Sequence, residues 1–216
     1  MSGADRYAGF PDGFFRRDDE RPDALFYGPP RLVTHIDDAA IAAVGELYAE
    51  LGIDGSAPRP VRVLDLMSSW VSHFRTPPAE LVVLGMNDEE LAANPAATQR
   101  LVHDLNTDPQ VPLPDEDVDA AVCCVSIDYL TRPVEVLEEA GRVLRPGGTL
   151  AITFSNRCFP TKAVRGWLLT DDEQHGALVA GLVRRAGRFT EPEVSLRTPP
   201  GRGDPLYAVV ASRITR

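Results

Sequence analysis

Apolar positions recur along this chain in two alternating rhythms, one helical and one of short unbroken runs. From Asp37 to Ile53, the residues Ile41, Val44, Leu47 and Leu51 fall on one stripe at helical spacing, and Asp37 or Asp38 stands where an N-cap is needed. The pattern predicts a first amphipathic helix. The loop GSAPRP ends it, and Val61 to Met67 (VRVLDLM) is a β-branched, apolar run of the kind that forms a buried strand. A second such run covers Leu81 to Met86. The stretch between them, SSWVSHFRTPPAE, has room for a short helix closed by Pro77-Pro78, consistent with a parallel crossover. DEELAANP then predicts a short helix stopped by Pro95, and Gln99 to His103 a third strand. Asp119 to Ile127 (DAAVCCVSI) is the most hydrophobic strand candidate and is expected at the centre of the sheet.

Pro133 opens the next helix, with Val136, Leu137, Ala140, Val143 and Leu144 as its apolar face and Gly147-Gly148 as residues that can end it by turning left-handed. Thr149 to Phe154 reads as a fifth strand, Lys162 to Leu169 and Asp172 to Ala186 as helices. The tail, EVSLRT, a PPGRGDP turn and LYAVVASRI, predicts an antiparallel hairpin. Strands alternating with helices imply an α/β fold: a doubly wound, Rossmann-like, mainly parallel seven-stranded sheet with a C-terminal antiparallel hairpin. No repeat or linker divides residues 31–216, which are expected to form one domain. Residues 1–30 mix Gly, Pro, charge and scattered aromatics without a period, as expected of a flexible N-terminal segment or lid.

Composition narrows the function classes. Hydrophobic residues make up 44% and charged residues 25% of the 216, and no apolar stretch approaches membrane-spanning length. The first residues lack the apolar core of a secretory signal, so a cytoplasmic location is expected. A net charge of −10 without a basic stripe argues against a nucleic-acid partner. Of the three cysteines, the neighbours Cys123 and Cys124 would point to opposite faces of a strand as reduced, packed thiols, and no metal site is expected.

In an open parallel sheet, ligands lie beyond the carboxyl ends of the strands, where crossovers diverge. The residues at those ends are Asp65 to Trp70, Gly85 to Asn87, His103 to Leu105 and Ser126 to Tyr129. Here the stretches PLPDEDVDAAVCCVSIDYL and EVLEEAGRVLRPGGTLAITFSN resemble the class I S-adenosylmethionine-dependent methyltransferases, and within them the methyltransferase type 11 group. The resemblance runs from about Arg31 to the C-terminus. It implies S-adenosylmethionine as cofactor and in-line methyl transfer to a small-molecule acceptor that the sequence does not identify.

Residue by residue, the family's glycine-rich loop after the first strand falls on LDLMSSWVSH, which has no glycine; Ser68 and Ser69, with Met67 and Trp70, stand in its place. Asp65 matches a residue that braces this loop. The acidic residue that grips the ribose hydroxyls falls on Asn87, whose neutral amide can accept from one hydroxyl and donate to the other, or simply cap the DEELAANP helix. Asp104 and Leu105 match the adenine contacts, and Ser126 follows the fourth strand. His35 is a candidate general base, since imidazole titrates near neutrality, or a surface or helix-capping histidine; His73, within reach of the pocket, and Tyr129 are further catalytic candidates, and Tyr27, Arg31 and Tyr129 are candidate lid contacts. The missing glycines and the Asn leave open a non-catalytic methyltransferase-like binding or partner protein with an altered cofactor site. A nicotinamide-dependent oxidoreductase would need a glycine-rich phosphate turn that SSWVSH does not offer.

Overall fold

The computed structural model describes residues 6–199, 201 and 203–215. Part of the expected PPGRGDP turn and the first five residues lie outside them. In chain order the elements are α1 (Asp23–Tyr27), α2 (Asp38–Glu50), β1 (Arg62–Leu66), β2 (Glu80–Gly85), α3 (Asp88–Ala93), β3 (Gln99–Val102), β4 (Val118–Cys124), a 3-10 turn (Ile127–Tyr129), α4 (Pro133–Val143), β5 (Leu144–Phe154), α5 (Arg165–Leu168), α6 (Asp172–Ala186), β6 (Glu193–Leu196) and β7 (Tyr207–Ser212). The strands make one seven-stranded sheet in the order β3-β2-β1-β4-β5-β7-β6. Pairing is parallel from β3 to β5 and antiparallel for β7 against both β5 and β6, so the doubly wound sheet with a terminal hairpin stands as the pattern predicts.

The unbroken apolar runs are explained by burial on both faces. On β1, Leu64 and Leu66 join a core with Val136, Leu137 and Ala140 of α4 and Val179 and Val183 of α6, whereas Val63 joins a second core with Val44, Leu47 and Tyr48 of α2. Cys123 packs into the first core and Cys124 against the second, both as free thiols. Local signals agree at the helix ends: Asp37 accepts from the Ala40 N–H, and Asp171 forms a capping box with Gln174 ahead of α6, which closes on Gly187 at φ 64°.

Four expectations change. No helix forms between β1 and β2, because α2 already covers that side of both strands with Val44, Leu47 and Tyr48; the connection is a loop instead. The helix from Pro133 ends at Val143, and Gly147-Gly148 lie inside β5 rather than capping it. There Gly147 has φ 78°, and a Cβ on Gly148 would sit 2.8 Å from the Asp119 carbonyl of β4, so the glycines let β5 bend onto its neighbour. The helix expected over Lys162 to Leu169 shrinks to Arg165–Leu168, since Lys162 is fully buried and its loop is committed elsewhere. The fourth strand stops at Cys124, and Ile127 belongs to the 3-10 turn.

The described part of the N-terminal segment is strapped across the carboxyl ends of the strands. Arg6 pairs with Glu138 at 2.8 Å, the Tyr7 hydroxyl donates to Glu135, and Tyr7, Phe10, Phe14 and Phe15 form an aromatic cluster whose rings meet edge to face or tilted. Further along, the ammonium of Lys162 lies 3.0 Å from Asp23 and donates to the carbonyls of Arg21 and Asp19. Arg17 completes the group at 2.8 Å from Asp23. Composition lacks a period here because the segment is ordered by partners far along the chain.

Two glycines test this packing in opposite directions. A Cβ on Gly166 would lie 2.1 Å from the Phe14 ring, so Gly166→Ala should destabilise the protein by about 1–3 kcal/mol through overpacking. Gly181, inside α6, has nothing within 4 Å, so Gly181→Ala should stabilise by about 0.5–1 kcal/mol. Thermal unfolding of both variants reads the two signs directly.

Candidate functional site

Strand order reverses between β1 and β4, and the cavity opens there, at the carboxyl ends of the strands and under the N-terminal strap. Its volume is about 390 Å³, within the range of small-molecule pockets. The strand-end candidates Asp65, Met67, Ser68, Ser69, Trp70, Asn87, Asp104, Leu105 and Ser126 all line it, as do His35, His73 and Tyr129, with Tyr27 and Arg31 from the strap. The chain therefore brings every candidate to one place.

At the switch point the backbone turns left-handed at non-glycine residues, Met67 (φ 55°) after β1 and Val125 (φ 44°) after β4, with His73 (φ 55°) further along the first loop. Such conformations cost an L-residue about 1–2 kcal/mol each and persist only where the surroundings impose them. The glycine-free loop is imposed from several sides. The Ser68 N–H donates to the Leu84 carbonyl at 2.7 Å, and the Ser68 hydroxyl donates to Asp65 at 2.6 Å. The Ser69 hydroxyl donates to Glu90, the Asn94 amide donates to the Ser69 carbonyl and the Ser72 hydroxyl, and the Trp70 indole N–H donates to the Val33 carbonyl of the strap. A Cβ on Gly85 would lie 2.2 Å from the Ser68 carbonyl, so it is this glycine, at the end of β2, that admits the loop.

The electrostatics of the lining follow from these contacts. Burial pushes the Asp65 carboxyl up to about 6, with the Ser68 and Ser72 hydroxyls pulling the other way. Asn87 is engaged on both sides of its amide: Oδ1 caps α3 through the Glu90 N–H at 3.0 Å, and Nδ2 donates to the Tyr27 and Gly28 carbonyls at 3.0 and 2.8 Å. Glu90 accepts from the Arg31 N–H as well as from Ser69. Asp104 is held in a turn by the N–H groups of Asn106 and Thr107 and by the Thr107 hydroxyl. The Ser126 hydroxyl donates to the Cys124 carbonyl. Tyr129 is buried, and its hydroxyl accepts from the Phe159 N–H at 2.9 Å. Desolvation lowers the pKa of both His35 and His73, against the pull of Glu90 on His35, and so favours the neutral imidazole at each; a proton on His35 further disfavours one on His73.

Several lining residues escape a reading of the sequence. Arg157, Cys158 and Phe159 follow β5, a strand end that the same carboxyl-end rule covers, and Phe159 meets Phe26, His35 and Tyr129 edge to face or tilted at 5.2–5.9 Å. Asn106, whose side chain joins Asp23, the Tyr129 carbonyl and the Thr131 N–H, carries no local signal at all.

Known proteins share this geometry. The family model described as "Methyltransferase domain" matches residues 68–152. Over that stretch the chain is similar to methyltransferase domains. The whole fold is similar to that of an S-adenosylmethionine-dependent methyltransferase from Aquifex aeolicus, at 18% identity and a TM-score of 0.56, covering 90% of this chain and 94% of that one. It is likewise similar to the trans-methyltransferase CalH in complex with SAH (S-adenosylhomocysteine), at 14% identity and a TM-score of 0.60 over 81% of this chain and 57% of that one. A curated relative, ribosomal RNA-processing protein 8 of Rattus norvegicus, is 56% identical over 43 residues, which is 20% of this chain and 9% of that protein. No helix among the described residues is long and apolar enough to cross a membrane.

Beside Tyr129, Asp128 is buried and one of its carboxylate oxygens has no partner among the described residues. Burial pushes its carboxyl up to about 8, against about 3.9 in the unfolded chain. The folded state therefore holds a proton that the unfolded state releases. The stabilisation linked to that proton is complete below about pH 4 and is lost as pH rises through about 8. Asp128→Asn should remove this dependence, by on the order of a few kcal/mol between pH 5 and pH 8, measured as the difference in denaturant midpoints of the two proteins.

Proposed function

We propose that this chain methylates a small molecule, with S-adenosylmethionine lying against the loop from Met67 to Trp70 and the ends of β2 and β3. The observation that carries the proposal is the coincidence of one cavity with the switch point of the sheet and with the carboxyl ends of the strands inside the matched domain. Fit to the cofactor rests on three features. The left-handed turn at Met67 gives the loop a backbone course open to glycine although no glycine is there. Ser68, Ser69 and Ser126 offer hydroxyls, and Leu84 and Leu105 offer apolar wall. Tyr27, which lines the same cavity, carries a buried hydroxyl with no partner among the described residues.

When bound, S-adenosylmethionine supplies an electrophilic methyl group for in-line transfer to a nucleophilic atom of the acceptor. Asp65 braces the loop through Ser68, Asp104 and Leu105 border the adenine end, and Asn87 meets the ribose by giving up part of its hold on the strap. His35 takes the acceptor proton as general base, with His73 beside it, and Tyr129 sets Phe159 as a wall. The acidic balance of the chain, −10, keeps nucleic acid out of this role, and a cytoplasmic location suits a small-molecule enzyme of this kind.

A second reading, a non-catalytic binding or partner protein, is favoured by one observation: Asn87 is already spent on α3 and the strap. Calorimetric titration and a thermal-shift panel with S-adenosylhomocysteine, S-adenosylmethionine and NAD separate the readings, because a ligand of the native state raises the melting temperature. Heat and a shift with the two adenosyl ligands but not with NAD are expected. Neither heat nor shift at millimolar ligand would remove the cofactor role.

Residues 1–30 are proposed to work as a lid on the domain formed by residues 31–216. Their hold on the cavity runs through Asn87, which donates to the Tyr27 and Gly28 carbonyls, and is continued just beyond them where the Arg31 N–H meets Glu90 and the Val33 carbonyl meets Trp70. Hydrogen exchange should slow at the amides around Tyr27 to His35 when S-adenosylhomocysteine is added. Equal protection with and without ligand would make the segment a permanent strap. Asn87→Asp, which sets a carboxylate against the Tyr27 and Gly28 carbonyls, should speed exchange of those amides in the free protein by about tenfold, the loss of one or two hydrogen bonds.

A further inference from the structure

The sheet ends on β3 at one side and on β6 at the other, and the outer edge of β6 carries a pattern that matches itself. β6 pairs with β7 alone, in the register Glu193↔Val210, Val194↔Val209, Ser195↔Ala208 and Leu196↔Tyr207. The next residue, Arg197, donates its N–H to the Leu206 carbonyl at 2.7 Å. Bonded and unbonded pairs alternate along an antiparallel ladder, so Glu193, Ser195 and Arg197 turn their backbone groups toward β7. Val194 and Leu196 therefore turn theirs outward, away from the sheet. A bare edge of this kind is a template for another strand. The side chains of Val194 and Leu196 share one face of the strand and are 47% and 42% exposed, while Glu193, Ser195 and Arg197 share the other face.

We infer that the occupant of this edge is β6 of a second copy of the chain, paired antiparallel about a two-fold axis at Ser195. Run in opposite directions, EVSLR meets itself as Glu193 against Arg197, Val194 against Leu196 and Ser195 against Ser195. Register and hydrogen bonding agree in this arrangement. Val194 and Leu196, whose backbone groups point outward, face each other as bonded pairs, so the two copies exchange N–H···O=C bonds on both sides of the axis. Ser195 falls in the unbonded, closely spaced kind of pair, where a small side chain fits. On one face the exposed valines and leucines of the two copies cover one another. On the other, Glu193, which has no ion-pair partner among the described residues, meets Arg197, whose guanidinium holds Glu50 at 2.6 Å through one nitrogen and keeps donors for a second carboxylate. Two-fold symmetry makes each of these contacts twice. A strand of unrelated sequence would satisfy the backbone and leave this charge pattern unmatched. The charge of −10 on each copy opposes approach at long range, and physiological salt screens most of that repulsion.

Sedimentation of the full chain in physiological salt should show a monomer–dimer equilibrium in the micromolar range. Glu193→Arg alone sets base against base at both pairs, and Arg197→Glu alone sets acid against acid, so each should weaken the dimer about tenfold or more. Mixed together, the two variants form a heterodimer in which every charge again meets its opposite, and the affinity should return to within about threefold of the parent's. Such a rescue distinguishes edge pairing from loss of fold, which mixing cannot repair. Ser195→Cys reads the register: the Cα atoms of an unbonded antiparallel pair lie about 4.5 Å apart, within the span of a disulfide. Oxidised glutathione should therefore convert this variant to a covalent dimer and leave the parent chain, with Cys123, Cys124 and Cys158, without one. A parent chain that stays monomeric at millimolar concentration, a dimer indifferent to both charge reversals, a mixture no tighter than its components, or Ser195→Cys that does not cross-link would each overturn the inference.

Discussion

A single ammonium group with no access to solvent organises the open end of this molecule. Lys162 is fully buried, and a buried cation that loses its partners costs several kcal/mol. Its partners are Asp23 and the carbonyls of Asp19 and Arg21, all from the N-terminal strap. The strap must therefore cross the strand ends for the loop after β5 to keep its shape. The cavity follows from that crossing, because Tyr27, Arg31 and His35 are its roof, and Tyr129, Phe159 and Arg157 are held at its wall. Asp23 in turn reaches Asn106 and Arg17, so one ion cluster ties the strap, the loop after β3 and the loop after β5.

How much of this is legible in the sequence depends on the range of the interaction involved. The strands are legible because burial on both faces writes itself as continuous apolar runs, and α4 and α6 because their apolar residues recur at helical spacing. The membership of the cavity is legible too, since strand ends at a switch point converge whatever the side chains are. Conversely, the absence of a helix between β1 and β2 depends on α2 having taken that face, which nothing in SSWVSHFRTPPAE announces. The partners of Asn87 are strap carbonyls 59 and 60 positions earlier in the chain, and no local pattern predicts a bond of that span. Phe159 is a different case, because the rule that picks out the other strand ends applies equally to β5.

The loop after β1 makes a left-handed turn without a glycine. Met67 and Val125 occupy left-handed conformations that side chains disfavour, and the loop compensates with hydrogen bonds from Ser68, Ser69, Asn94 and Trp70. A glycine loop would reach the same course with less strain but would leave it free to move. Here the first loop is stiff and cross-linked to the roof, so rigidity at the floor of the cavity and closure above it are one property.

The strap also has a consequence for the order in which the molecule is made. Asp19 and Lys162 stand 143 positions apart, so the ion cluster of the strap is incomplete until the loop after β5 has emerged. Strands β1 to β5 pair in parallel with only short connections between them, and they can assemble before that anchor is available. Tyr7, Phe10, Phe14 and Phe15 must meanwhile wait in solvent. These aromatics are thus covered only after partners far along the chain have emerged, and the nascent chain is more exposed to chaperones and to its own neighbours during that interval.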